Sequence, residues 1–199
     1  TVLAVLMSRR PDLWPSCLLQ LLHAVNGQLD ALVQQCLMAV ERVLEELAGA
    51  TVNGAVRYDA LWSVCLALLA SSGAVTSTAV TILSLRIVNH LLYGDNTEID
   101  IDALLSALSR CAISGDAEVK RLTCSCLSIL SETFDAERMA PSVPAIQSFM
   151  LRALQDADMA VALEACEYWN GQAERGIDDP SVLSKLVPLL VGRVVYDED

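Results

Sequence analysis

Apolar residues recur along this chain at helical intervals and seldom alternate with polar ones. Leu18, Leu21, Leu22 and Val25 follow an i, i+3, i+4, i+7 spacing, and Val119, Leu122, Cys126 and Leu130 keep it to within one position. β-Turn dipeptides are few. The spacing predicts helices over 13–26, 31–48, 57–70, 77–93, 102–113, 117–133, 142–155, 159–175 and 181–195, with a partial helix ahead of Pro11. The connections are short, which favours antiparallel neighbours.

Aligning every second helix on its first apolar valine brings out a repeat. Asp30-Ala-Leu-Val33, Ser77-Thr-Ala-Val80, Asp116-Ala-Glu-Val119 and Asp158-Met-Ala-Val161 fall into register, their valines 47, 39 and 42 residues apart. A leading Asp or Ser accepts hydrogen bonds from the unpaired N–H groups of a first helical turn, and a carboxylate there suits the positive end of the helix dipole. The valine then opens the buried stripe. A period of roughly 40–47 residues is that of HEAT and armadillo helix pairs. A single pair cannot bury its own apolar face, so neighbours must stack. The predicted fold is therefore all-α, an α-α superhelix (HEAT-repeat solenoid) of about five antiparallel pairs. Residues 1–199 are expected to form one continuous array, a piece of a longer solenoid with partial units at both ends. Pro15, Pro141, Pro144 and Pro180 stand at or near helix starts, where a missing N–H costs little. Pro188 falls inside the helix over 181–195 and is expected to kink it.

Composition sharpens this picture. Hydrophobic residues make up 54% of the chain and aromatics only 5%, as expected of helices packed on more than one side. No apolar run reaches the roughly 20 residues of a spanning helix: the run 61–70 ends at Ser71 and Ser72, and 79–88 contains Arg86. Membrane insertion is not expected. The N-terminus does not begin with Met and reads as a cut through a longer protein, so targeting signals are not judged from it. The seven cysteines (17, 36, 65, 111, 124, 126 and 166) form no C-x-x-C pair and sit in apolar helical stretches. Small buried apolar residues in a reducing compartment are the expectation.

Charge divides the chain. Residues 1–94 carry 6 acidic and 5 basic side chains, a net of −1, whereas residues 95–199 carry 19 and 8, a net of −11. Such a surface repels nucleic acid, whose phosphates need a cationic field, and suits a basic protein or peptide. Its other reading is that acidity keeps an apolar solenoid soluble.

Chemistry-bearing motifs are missing. No phosphate-binding loop, dinucleotide fingerprint, H-E-x-x-H or G-x-S-x-G occurs. His23 and His90 lie 67 residues apart at helix ends, without convergent ligands. The acidic stretch from Asp95 to Asp102 lacks the glycine and distal glutamate of an EF-hand, and a loop whose Asp100 or Asp102 caps the next helix is the better reading. Trp14, Trp62 and Trp169 lie in or beside apolar stripes and are expected in the core. No enzyme, metal site or cofactor is expected.

The stretch from Asp156-Ala-Asp-Met-Ala through Val161-Ala-Leu-Glu-Ala-Cys-Glu167 to Trp169 and Glu174 resembles the seventh repeat of the transportins, a branch of the karyopherin-β (importin-β) receptors. Leu186-Val-Pro-Leu-Leu-Val191 and Tyr196-Asp-Glu-Asp199 resemble the helix that follows. Leu13-Trp14-Pro15 and Leu18-Leu-Gln-Leu-Leu22 are similar to a helix near the third or fourth repeat. Residues 30–150 match only as HEAT units, and 48–58 and the loop near Asp95 depart from the pattern.

The resemblance implies a fragment of a nuclear import receptor that shuttles between cytoplasm and nucleus. Such receptors bind Ran GTPase in its GTP form, cargo carrying nuclear localisation signals, and nucleoporins. The chain would span about the third repeat to the first helix of the eighth. The main site for basic or proline-tyrosine signals would then lie outside it, and part of the Ran surface within it. Glu164 and Glu167, three apart on one helix, are the contacts to Ran that the match implies; solvated polar residues are the alternative. A HEAT scaffold or regulatory subunit unrelated to transport is the rival reading.

Overall fold

The computed structural model describes residues 30–48, 59–71, 76–93, 99–177 and 179–193. The regular elements are α1 (Asp30–Ala48), α2 (Asp59–Ala70), α3 (Thr78–Leu92), α4 (Ile101–Cys111), α5 (Ala117–Thr133), α6 (Ala136–Met139), α7 (Val143–Ala153), α8 (Met159–Arg175) and α9 (Pro180–Arg193). The spans of α5 and α8 coincide with those expected, and the other long helices agree to within two residues at each end. The short α6 was not anticipated, because one turn is too short to show a period. The helix over 13–26, with Trp14, Pro15, Cys17 and His23, lies outside the described residues.

Local chemistry starts these helices where the repeat motif places them. Ser77 Oγ accepts from the Val80 N–H at 3.5 Å and Asp116 Oδ1 from Val119 at 3.0 Å. Asp158 Oδ1 accepts from both Ala160 and Val161, at 2.9 and 3.3 Å. Val33, Val80, Val119 and Val161 are all buried, so each motif opens a core stripe. The side chain of Asp30, which opens α1, is outside the described set. Asp100 caps α4 in the same way, its Oδ1 accepting from Ala103 at 3.0 Å. Asp179 accepts from the Ser181 N–H at 2.8 Å around Pro180, whose absent donor costs nothing at that position. Ser142 and Asp135, before α7 and α6, make no such side-chain bond. Pro188 lies within α9 and denies the Ser184 carbonyl its helical donor, yet the helix runs on to Arg193.

The helices gather into two compact units, Thr1–Ser114 and Gly115–Asp199. In the first, α3 packs on its sequence neighbour α2 and also on α1, while α2 packs on α4. One layer therefore holds α1 and α3, the other α2 and α4. In the second, α8 packs on α7 and most extensively on α5, and α7 also meets α9. Its layers are α5 with α8 and α7 with α9. Packing on the next helix and the next but one is what stacked helix pairs require. Both units are of the all-α HEAT type.

Each unit closes over large apolar side chains. Leu61, Cys65 and Leu69 of α2, Leu85 and Ile87 of α3, and Leu104 and Leu108 of α4 are buried in the first. Leu130, Met150 and Trp169 are buried in the second, with the Tyr168 ring edge-on to Trp169 at 5.1 Å. Trp62 is buried as well. Burying each such side chain stabilises the fold by about 1.5–3 kcal/mol. The six described cysteines are free; Cys65, Cys111, Cys124 and Cys126 are buried, and Cys36 and Cys166 half-buried. Burial pushes the Cys65 and Cys124 thiols up to about 12.

Last-turn arginines join helices within a layer. Arg110 of α4 donates to the carbonyl of Ala70, the final residue of α2, and Arg175 of α8 donates to the Ser131 carbonyl near the end of α5. Both satisfy carbonyls that a helix end leaves unpaired, at the pole where a cation is favoured.

Candidate partner-binding surface

Helix α8 carries both glutamates singled out by sequence. Its buried stripe is Val161, Ala162, Ala165, Tyr168 and Trp169, against α7 and α5. The three-residue step from Glu164 to Glu167 straddles two environments. Glu164 is turned into the seam with α5, where its Oε2 lies 3.4 Å from Arg121 Nη1. Glu167 is exposed.

Arg121 is the centre of that seam. It grips Glu118 with both arms, Nε to Oε2 at 2.8 Å and Nη2 to Oε1 at 3.0 Å, and reaches Glu164 with Nη1. The Glu118 hydrogen bond, with Glu164 adding to it, holds the guanidinium above its ordinary value. Beside it, Lys120 pairs with Asp156 in the turn before α8. The first unit has a counterpart: Arg86 of α3, the residue that interrupts an apolar run, reaches Glu41 of α1 at 3.4 Å. Sequence reasoning missed these pairs. Their only local signal was a cation beside or inside an apolar stripe.

Two further cations of the second unit are engaged within it: Arg175 donates to Ser131, and Arg138 lies over the Phe134 ring at 5.7 Å. Two exposed apolar residues were also missed, Met159 and Leu163 on the first turns of α8. Leu163 is two residues from Val161, about 200° around a helix, and that offset was the available signal.

The other candidates have structural places. Asp100 caps α4 and Asp102 stands in its first turn; residues 94–98 lie outside the described set. His90 lies half-buried in the last turn of α3. Among the described residues no group of three or more His, Cys, Asp or Glu could hold a metal ion, and no helix is long and apolar enough to cross a membrane.

Helix pairs in two layers within each unit, with cations drawn into the seams between helices, define the all-α HEAT class. Comparison with known proteins gives that class a particular character. The chain is 39% identical to transportin-1 of Mus musculus over 101 residues, 49% of this chain and 11% of that protein. It is 26% identical to importin subunit beta-2 of Schizosaccharomyces pombe over 191 residues, 93% of this chain and 21% of that protein. It is 35% identical to the transportin of Dictyostelium discoideum over 104 residues, 50% of this chain and 11% of that protein. These relatives support a transportin-like karyopherin segment, spanning about a tenth to a fifth of their length. No family model matches the chain.

Proposed function

We propose that this chain is part of a nuclear import receptor of the importin-β type and acts by reversible protein association rather than catalysis. The observation that carries the reading is its similarity to proteins named transportin and importin subunit beta-2. The acidic face of the second unit supports it. Residues 1–199 form one continuous HEAT array in this proposal, within a receptor that shuttles between cytoplasm and nucleus. Its partners are Ran in the GTP form, signal-bearing cargo held mainly outside this segment, and nucleoporins. A nucleotide-dependent switch follows if Ran and cargo favour different conformations of one flexible array. Glu167 meets a cation of Ran directly, and Glu164 does so by exchanging Arg121 for a partner's cation.

Immobilised chain is challenged with Ran loaded with GTP or with GDP. Retention of the GTP form alone is expected. Equal retention of both forms removes the import reading and returns the chain to a HEAT scaffold unrelated to transport.

A further inference from the structure

An asparagine followed by glycine loses its side-chain amide readily in water, because a residue without a Cβ lets its backbone nitrogen reach the asparagine Cγ. The chain has three such pairs, at 26–27, 53–54 and 170–171. Of these, Asn170 and Gly171 fall among the described residues, in the second half of α8. Asn170 is exposed and directly follows the buried Trp169. Glycine is a poor helix former, so its place inside a helix asks for a reason. Packing supplies one: a Cβ on Gly171 would stand 3.2 Å from Glu132 Oε1 of α5 and 4.0 Å from Arg175 Nη2. A side chain there would press on the α5–α8 seam where Arg175 closes it by donating to the Ser131 carbonyl. The seam therefore keeps the labile pair in the helix.

The same helix shields it. Loss of the amide requires the Gly171 nitrogen, freed of its proton, to attack Asn170 Cγ. Inside α8 that N–H is committed to the carbonyl four residues back, and helical backbone angles hold the nitrogen away from the Asn170 side chain. Reaction therefore waits on local opening of α8.

We propose that Asn170–Gly171 is a gated site of spontaneous deamidation that marks chains whose α8 has opened. In the opened chain the Gly171 nitrogen bonds to Asn170 Cγ, and the side-chain nitrogen leaves as ammonia, giving a cyclic succinimide. Water opens that ring at either carbonyl and leaves aspartate or isoaspartate; the only co-reactant is solvent. Isoaspartate routes the main chain through the side-chain carbons, which lengthens the backbone and breaks the helical hydrogen-bond register beside Trp169. A chain marked in this way no longer closes α8 as the parent does.

The test incubates the 199-residue chain in mildly alkaline buffer, folded or in guanidinium chloride, and follows each Asn-Gly pair by site-resolved peptide mass spectrometry. Asn170 is expected to convert at least about tenfold more slowly in the folded chain than in the unfolded one. Arg175→Ala removes the bond to Ser131 and is expected to speed conversion of the folded chain about fivefold, with the unfolded rate unchanged. Gly171→Ala is expected to slow conversion of the unfolded chain about tenfold. Circular dichroism checks that both variants are folded before incubation. Parent chain isolated with isoaspartate at position 170 should melt at a lower temperature than unconverted chain. Equal rates in folded and unfolded parent, or a folded Arg175→Ala chain no faster than the parent, overturns the gate. An unfolded parent that leaves Asn170 intact overturns the site itself.

Discussion

Asp158 sets a helix start with one oxygen, accepting two backbone N–H groups of α8. Removing that acceptor leaves both donors to solvent, and Asp158→Ala is expected to cost about 1 kcal/mol. Asp158→Asn should retain most of it; urea melts of the two variants check the difference. Caps of this kind were legible in the sequence because donor and acceptor lie two or three residues apart. The Arg121–Glu164 pair was not, because its members are 43 positions apart and meet only once α5 and α8 are packed. Buried thiols give a second residue-scale prediction. Cys65 and Cys124 rise from an ordinary 9.0 to about 12 in the fold. Tyr168 also rises to about 12, again through burial. Above pH about 9 the unfolded thiols lose protons and the folded ones do not, so stability is full below that pH. It falls as pH rises towards 12, by up to about 1.4 kcal/mol per pH unit for each thiol. The urea midpoint should therefore be lower at pH 10.5 than at pH 8.

At the scale of elements, α8 binds its unit together through two kinds of contact. Trp169 fills the core while Arg175 caps α5. Trp169→Ala opens a cavity in the core and is expected to cost about 3–5 kcal/mol. Arg175→Ala removes one partly solvated hydrogen bond and should cost about 1 kcal/mol. Thermal unfolding of the two variants should separate them widely, and similar losses would contradict the placement of α8. The long helices were readable because periodicity and caps agree at their ends, as at Asp116 and Val119. The α6 turn, between Asp135 and Pro141, offered an Asp at its start but, at four residues, no period. Periodicity marked the buried stripe of α8 but was silent on what its outward side carries. Leu163 therefore passed as one more apolar residue, although it lies well off the stripe through Val161 and Ala165.

For the whole molecule, the uneven charge is the property most open to test. The net of −11 over residues 95–199 predicts that association with a basic partner is electrostatically steered and weakens as salt rises. An affinity for Ran–GTP that is indifferent to salt between 50 and about 300 mM would contradict a contact made through exposed carboxylates. The HEAT class could be read from the recurring Asp-or-Ser-x-x-Val motif alone. Which face a partner occupies could not, since that depends on which cations the packed helices draw into their seams. Hydrogen exchange of the chain with and without Ran addresses this directly. Peptides covering Met159–Arg175 should gain protection with Ran–GTP and none with Ran–GDP. Protection confined to Asp30–Leu92, or equal with the two nucleotides, would contradict the account.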